Sequence, residues 1–224
     1  APMRQSIFSS PRPKASLRVM TLTNPSFNGL QAWTDLDKGP IMSRRFGIEV
    51  EKDYFNFASA HFLIFADGTR ETLHGHNYQV SVAIEGDLDS AGVILNFITF
   101  KPLVKEVCDG LDHRTLLPGQ NLCLKTRRGR RDIEVLYKDE LFILPRRDVI
   151  VLPLINTSTE LLAEYVARQV WQKAHERFPG ANLHSIEVRI EETLGQKGIF
   201  RGEFSKRKGR RGSKREPKDS HLAG

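Results

Sequence analysis

The chain has 224 residues, of which 39% are hydrophobic and 27% charged, with two cysteines and a formal net charge of +7. This is the composition of a globular domain with polar, unpacked sequence attached; no apolar run reaches the roughly 20 residues of a membrane-spanning helix, so a soluble protein is expected, and Cys108 and Cys123 read as ordinary thiols of a reducing compartment rather than as a disulfide framework. Residues 205–224 hold eight Lys or Arg against Glu216 and Asp219, so +6 of the charge sits in this tail and the rest of the chain is close to neutral at +1.

Residues 1–34 contain no Asp or Glu, but carry Arg4, Arg12, Lys14 and Arg18 with several Ser and four Pro. They read as a disordered leader or as an organellar transit peptide, which makes the protein cytoplasmic or directs it to a mitochondrion or plastid. Order is expected over 46–204, after a leader of 1–45. Phe46 to Phe65 reads as one long or broken strand, and Ala66-Asp67-Gly68 as a turn. From Leu73 to Glu85 the apolar Tyr78, Val80, Val82 and Ile84 alternate, which predicts a second strand antiparallel to the first. Gly86 to Gly92 is a second turn. Phe97, Phe100, Val104 and Val107 fall at helical spacing, with Pro102 in the first turns. Residues 119–150 form an insertion: Arg127-Arg128-Gly129-Arg130-Arg131 reads as a solvated loop, and Ile133–Tyr137 with Leu141–Leu144 as a hairpin. Thr157 with Glu160 three residues later fits a capping box opening a helix that stops before Pro179-Gly180. Ile186, Val188 and Ile190 alternate as a strand, with Gly198 to Phe204 as its hairpin partner. The order is that of an α+β domain, an antiparallel sheet with helices on one face, followed by the basic disordered tail 205–224.

His74-Gly75-His76 opens the second strand, where a period of two turns both imidazoles to one face. Hairpin pairing brings His61 alongside. Three histidines without a fourth protein ligand are the pattern of a catalytic Zn2+ site with an open position; on spacing alone, the rings read equally as unconnected surface or core histidines. Asp112-His113 forms a dyad if the backbone bends there, and otherwise a polar loop. Glu191-Glu192-Thr193 ends the third strand, as a solvated strand end or as a carboxylate for a guanidine-like edge with two N–H donors.

Taken together, Phe57-Ala58-Ser59-Ala60-His61, Leu73-His74-Gly75-His76-Asn77-Tyr78, Gly92-Val93-Ile94-Leu95-Asn96-Phe97, Leu111-Asp112-His113, Thr157-Ser158-Thr159-Glu160 and Glu192-Thr193 resemble, in order and spacing, the 6-pyruvoyltetrahydropterin synthase family over about residues 46–204. The resemblance implies a tunnelling fold: a four-stranded antiparallel sheet with two helices on one face, three sheets closing into a barrel and two barrels stacking as a homohexamer. It implies that His61, His74 and His76 hold zinc, that Asp112 and His113 are a catalytic dyad, that Glu192 anchors the pterin ring and that Thr159 lines that pocket. For Glu160 the capping role suffices.

One departure matters. The usual family member has a catalytic Cys four or six residues before the first His of the pair, where this chain has Arg70 and Gly68. Beside Arg70 stands Glu71, which resembles the branch with Glu in place of Cys; the insertion 119–150 resembles one in that branch too. Otherwise Glu71 is a loop carboxylate in water. The resemblance then implies a zinc-dependent lyase that cleaves the side chain of 7,8-dihydroneopterin triphosphate to 6-hydroxymethyl-7,8-dihydropterin, a folate precursor, with Glu71 as general base or acid. The alternative is 6-pyruvoyltetrahydropterin formation by triphosphate elimination, a carbon–oxygen rather than carbon–carbon lyase, on the tetrahydrobiopterin route. A third family chemistry, leading to the carboxy-pterin, also depends on the missing Cys. A rival of another class is a nucleic-acid-binding protein using the basic tail and Arg127–Arg131 on phosphates; the tail has no aromatic residue beyond Phe204 for base stacking.

Overall fold

The computed structural model describes residues 44–203; the expected leader, but for its last two residues, and the basic tail lie outside the described residues. Its main element is a strand pair, β1 (Phe46–His61) and β2 (His74–Gly86), antiparallel from Phe46↔Gly86 to His61↔His74 with a register shift between Glu51 and Asn56. The alternation read in the sequence places Tyr78, Val80, Val82 and Ile84 of β2 on one face, all fully buried. Gly75 crosses close to β1, where a Cβ would stand 3.0 Å from the Ser59 carbonyl oxygen.

After β2 comes α1 (Phe97–Leu111), whose Asn96 side chain accepts the Ile98 N–H at the N-cap and which carries Pro102 within it. Two short strands follow, β3 (Arg114–Pro118) and, beyond the insertion, β7 (Val149–Leu152). Helix α2 (Thr159–Arg177) leads to β8 (Leu183–Thr193) and β9 (Gln196–Glu203). Both helices pack into one core with the sheet: Phe100, Leu103, Val104 and Val107 from α1, and Leu162, Ala163, Val166 and Val170 from α2, join Ile186, Val188 and Ile190. The start of α2 lies directly on β9, where a Cβ on Gly198 would come within 2.4 Å of the Thr159 carbonyl carbon. Among the described residues, no helix is long and apolar enough to cross a membrane.

The α+β class and the antiparallel order β1-β2-β8-β9 agree with expectation, but the sheet is larger than four strands. Its full order is β7-β3-β1-β2-β8-β9, because β3 adds to β1 in parallel and β7 adds to β3 in parallel. Leu116 and Leu117 of β3 are buried between layers, and so short a buried strand shows no alternation from which to read it.

The insertion also exceeds the expected hairpin. β5 (Asp132–Tyr137) and β6 (Glu140–Pro145) pair as foreseen, but β4 (Leu124–Arg128) adds a third strand. Arg127 and Arg128 therefore lie on a strand, with Arg127 paired to Glu134 on β5, and only Gly129–Arg131 make the turn. This second sheet has its own core of Ile133, Val135 and Tyr137 packed on Phe62, Ile64, Leu117 and Val149.

The capping box does not form. Ser158 is the N-cap of α2 and makes no side-chain capping bond. Thr157 is fully buried instead, and its hydroxyl donates to the Phe62 carbonyl.

Candidate metal centre and catalytic groups

His74, His76 and Tyr78 share the helix-covered face of β2, so the apolar stripe of that strand ends in two imidazoles. His61, the last residue of β1, pairs with His74 and is 1% exposed. The ring centres are 4.7 Å apart for His61 and His74, 4.9 Å for His74 and His76 and 5.4 Å for His61 and His76. Backbone carbonyls orient two of the rings. His61 Nδ1 lies 3.0 Å from the Thr157 carbonyl oxygen and His74 Nδ1 lies 2.8 Å from that of Thr72. A carbonyl only accepts, so in each ring Nδ1 is the donor and Nε2 is the nitrogen left to face the centre, the arrangement of a metal-binding imidazole. Burial lowers the pKa of His61, as do His74 and His76, and outweighs the opposing pull of the Thr157 bond and Glu192; the ring is held neutral.

Glu192, near the end of β8, reaches the same point. Its Oε1 is 3.2 Å from His61 Nε2 and 3.1 Å from His76 Nε2, and it accepts the Tyr78 hydroxyl at 3.3 Å. The Tyr78 hydroxyl is also 3.0 Å from His61 Nε2. One ligand atom from each of His61, His74, His76 and Glu192 lies within 4.8 Å of the others. Oriented lone-pair nitrogens with a carboxylate beside them are a donor set that fits a divalent metal of the zinc type. The sequence pointed to the three histidines alone; Glu192 comes to them because β8 lies beside β2, with Gln79 paired to Glu191.

Glu71 lies on the loop between β1 and β2. Its Oε2 accepts the Leu63 N–H at 3.1 Å and stands 4.0 Å from His74 Nε2. Within the same loop the Glu71 N–H donates to the Leu63 carbonyl at 3.0 Å. Arg70, the position before it, turns into the second sheet.

Asp112 and His113 make the bend that a dyad needs, with His113 at φ 55°. Asp112 Oδ1 accepts the Ala58 N–H at 2.7 Å, and its Oδ2 lies 2.8 Å from His113 Nδ1. Burial raises the Asp112 pKa, but the bonds from Ala58 and His113 together outweigh it and hold the carboxyl below its ordinary range. The His113 side chain is 83% exposed and lines a groove of about 430 Å³ with Ser59, His76, Asn77 and Arg114. Of the histidine centre, His76 alone is among the residues lining this groove. Thr159 stands apart from this groove, at the start of α2, with its hydroxyl 3.4 Å from Glu160. Sequence reasoning missed two contributors: the Thr157 carbonyl, which leaves no signature in a residue type, and the Tyr78 hydroxyl, which was counted as part of an apolar face. Cys108 is buried in α1, where burial pushes its thiol up to about 12, and Cys123 is exposed on the insertion.

The family model described as 6-pyruvoyl tetrahydropterin synthase matches residues 49–203. A Methanocaldococcus jannaschii protein named putative 6-carboxy-5,6,7,8-tetrahydropterin synthase is 33% identical over 148 residues, covering 65% of this chain and 88% of its own. The solved 6-pyruvoyl tetrahydropterin synthase of Plasmodium falciparum superposes with a TM-score of 0.67 at 33% identity, over 72% of this chain and 100% of that one. Two structures of the Plasmodium vivax 6-pyruvoyltetrahydropterin synthase match with the same TM-score of 0.67 and coverage at 29% identity, and both are described as catalytic residue mutants, a glutamate changed to alanine or to cysteine.

Proposed function

The chain belongs to the 6-pyruvoyl tetrahydropterin synthase family, and from that premise we propose that it is a zinc-dependent lyase that cleaves the side chain of 7,8-dihydroneopterin triphosphate to 6-hydroxymethyl-7,8-dihydropterin. The observation that carries this reading is the Glu71 carboxylate 4.0 Å from His74 Nε2. Neither cysteine is available for that role, Cys108 being sealed in the core and Cys123 lying on the insertion. The catalytic glutamate named for the Plasmodium vivax structures supports the same branch.

His61, His74 and His76 would hold the zinc. When bound, the ion supplies Lewis acidity that lowers the pKa of hydroxyls on the substrate side chain. Glu71 takes the proton of the C2′ hydroxyl; its carboxylate, held by the Leu63 N–H, is aimed for that transfer. As that oxygen becomes a carbonyl the C1′–C2′ bond breaks, its electron pair passes to C1′, and a proton returns there. His113, its ring fixed by Asp112, delivers the returning proton from the groove. Glu192 accepts N–H groups of the pterin edge, as a carboxylate does from a guanidinium. Its distances of 3.1 Å and 3.2 Å to two histidine nitrogens support a second reading for that residue, a fourth metal ligand.

The test is product identification. Incubated with 7,8-dihydroneopterin triphosphate, the zinc-loaded protein is expected to yield 6-hydroxymethyl-7,8-dihydropterin on chromatography. 6-Pyruvoyltetrahydropterin as the main product would move the chain to the triphosphate-eliminating alternative.

A further inference from the structure

Arg70 immediately precedes Glu71, yet its side chain runs into the second sheet. Its guanidinium carbon lies 5.2 Å from the ring centre of Phe62, 5.6 Å from that of Tyr137 and 4.9 Å from that of Phe142. The side chain is only 12% exposed. Three aromatic faces offset part of the lost hydration of the cation, and the Glu140 carboxylate on β6 pairs with Nη2. Nη1 donates to the backbone carbonyl of Glu71 itself. The planar fork of arginine allows this: two donors leave in fixed, different directions, one to the second sheet and one to the loop.

The rest of the loop is tied in the same way. Ile64 and Arg70 form an isolated antiparallel bridge, and Phe65 N–H donates to the Thr69 carbonyl at 2.8 Å. The Tyr137 hydroxyl donates to the Gly68 carbonyl at the turn. Two of these ties come from β5 and β6. The main chain from which the Glu71 carboxylate projects is therefore fixed to the insertion on one side and to Leu63 on the other.

We propose that Arg70 is a positioning residue for Glu71: clamped by the aromatic rings and Glu140, it sets the main-chain point from which the carboxylate reaches the histidine centre, so that the second sheet is part of the active-site apparatus. This inference rests on the reading of Glu71 as the base. Arg70 touches neither the histidines nor the groove; it acts only through its neighbour. A catalytic group displaced by about 1 Å loses on the order of 100-fold in rate. Methionine fills much of the same cage without the two donors, and the Glu140 carboxylate left behind is half exposed to water, so its lost partner is replaced by solvent. The Arg70→Met variant therefore separates position from folding.

The experiment uses the full zinc-loaded chain, unmodified and as Arg70→Met, Arg70→Lys and Glu71→Gln. Arg70→Met is expected to lower kcat about 10- to 100-fold, to leave KM within about threefold, and to keep its bound zinc. Arg70→Lys should recover part of kcat, because its ammonium stays in the cage but donates to one of the two partners and not to both. By hydrogen exchange, the Leu63 and Glu71 amides should exchange about tenfold faster in Arg70→Met, with β2 and β8 unchanged. A kcat within about twofold of the unmodified protein overturns the inference, as does a loss of kcat matched by loss of zinc and not rescued by lysine. Failure of the functional reading looks different: no 6-hydroxymethyl product from the unmodified chain, or full activity of Glu71→Gln. In that case exchange decides the positioning role by itself, and unchanged protection at Leu63 and Glu71 in Arg70→Met overturns it.

Discussion

At the scale of the residue, the centre is defined by which nitrogen of each ring is spoken for. His74 takes its orientation from the Thr72 carbonyl and presents Nε2 to its neighbours. Replacing it with alanine removes a donor outright, so His74→Ala should weaken zinc binding by more than the roughly 10- to 100-fold that loss of a supporting hydrogen bond costs. Competition with a chromophoric chelator measures this, and an unchanged circular dichroism spectrum should accompany it because the core lies elsewhere. Glu192→Gln separates the two readings of that residue. As pterin anchor, its loss should cost on the order of 2–4 kcal/mol in substrate binding, raising KM and sparing zinc; as fourth ligand, the reverse. Measuring KM and zinc content on one preparation decides between them. How far the sequence disclosed this centre follows from the same atoms. The period-two spacing of His74 and His76 is explicit in the chain, and so is the adjacency of Asp112 and His113. The carbonyl of Thr157 is explicit nowhere, since every residue has one. Thr157 with Glu160 matched the capping pattern, yet the hydroxyl is committed to Phe62 and the cap falls to Ser158. Only the folded position of β8 tells that Glu192 reaches two histidines.

At the scale of the element, two junctions determine whether these residues stay in place. The first is the contact of α2 with β9. A methyl group on Gly198 would collide with backbone at Thr159 and Glu160, which cannot swing aside as a side chain can. Gly198→Ala should cost about 1–3 kcal/mol in urea unfolding. It should also weaken metal binding, because Thr157, which orients His61, stands two residues before α2. The second junction is the bend after α1. The Asp112 carboxyl has a lower pKa folded than unfolded, so its contribution to stability is full above the unfolded value of about 3.9 and is lost as pH falls through the folded value. The Asp112→Asn penalty should thus be constant near neutrality and vanish in strong acid. Unfolding midpoints of the two proteins, taken across that range, check the sign. The elements themselves were partly legible. Long alternating or 3.6-periodic segments such as β2, α1 and α2 announced themselves. Strand β4 did not, because its arginines look like a solvated loop until β5 supplies Glu134 as a partner. Nor did β3 and β7, too short and too buried to alternate.

At the scale of the whole molecule, the six-stranded sheet ends in β7 on one side and β9 on the other, and both leave an outer edge that a monomer would have to protect. Tyr54, Phe65, Leu73 and Leu194 are large apolar side chains exposed on the single chain. Assembly would cover both features, and a homohexamer is the proposed state. Light scattering on the active enzyme should report about six chains per particle, on the symmetric assembly expected of such an oligomer; a monodisperse monomer with full turnover would refute it. The separation between His61 and Thr157 bears on something else, the order in which the protein is made. His74 is oriented by a carbonyl two residues away, available as soon as the hairpin leaves the ribosome. His61 waits for a carbonyl 96 residues downstream. At about 5–20 residues per second, that interval lasts seconds. A metal ion offered during it would meet one ring whose carbonyl partner is already made and another whose partner is not. The set of carbonyl contacts that orients the centre is therefore complete only once the Thr157 segment has been made, long after the hairpin that holds all three histidines.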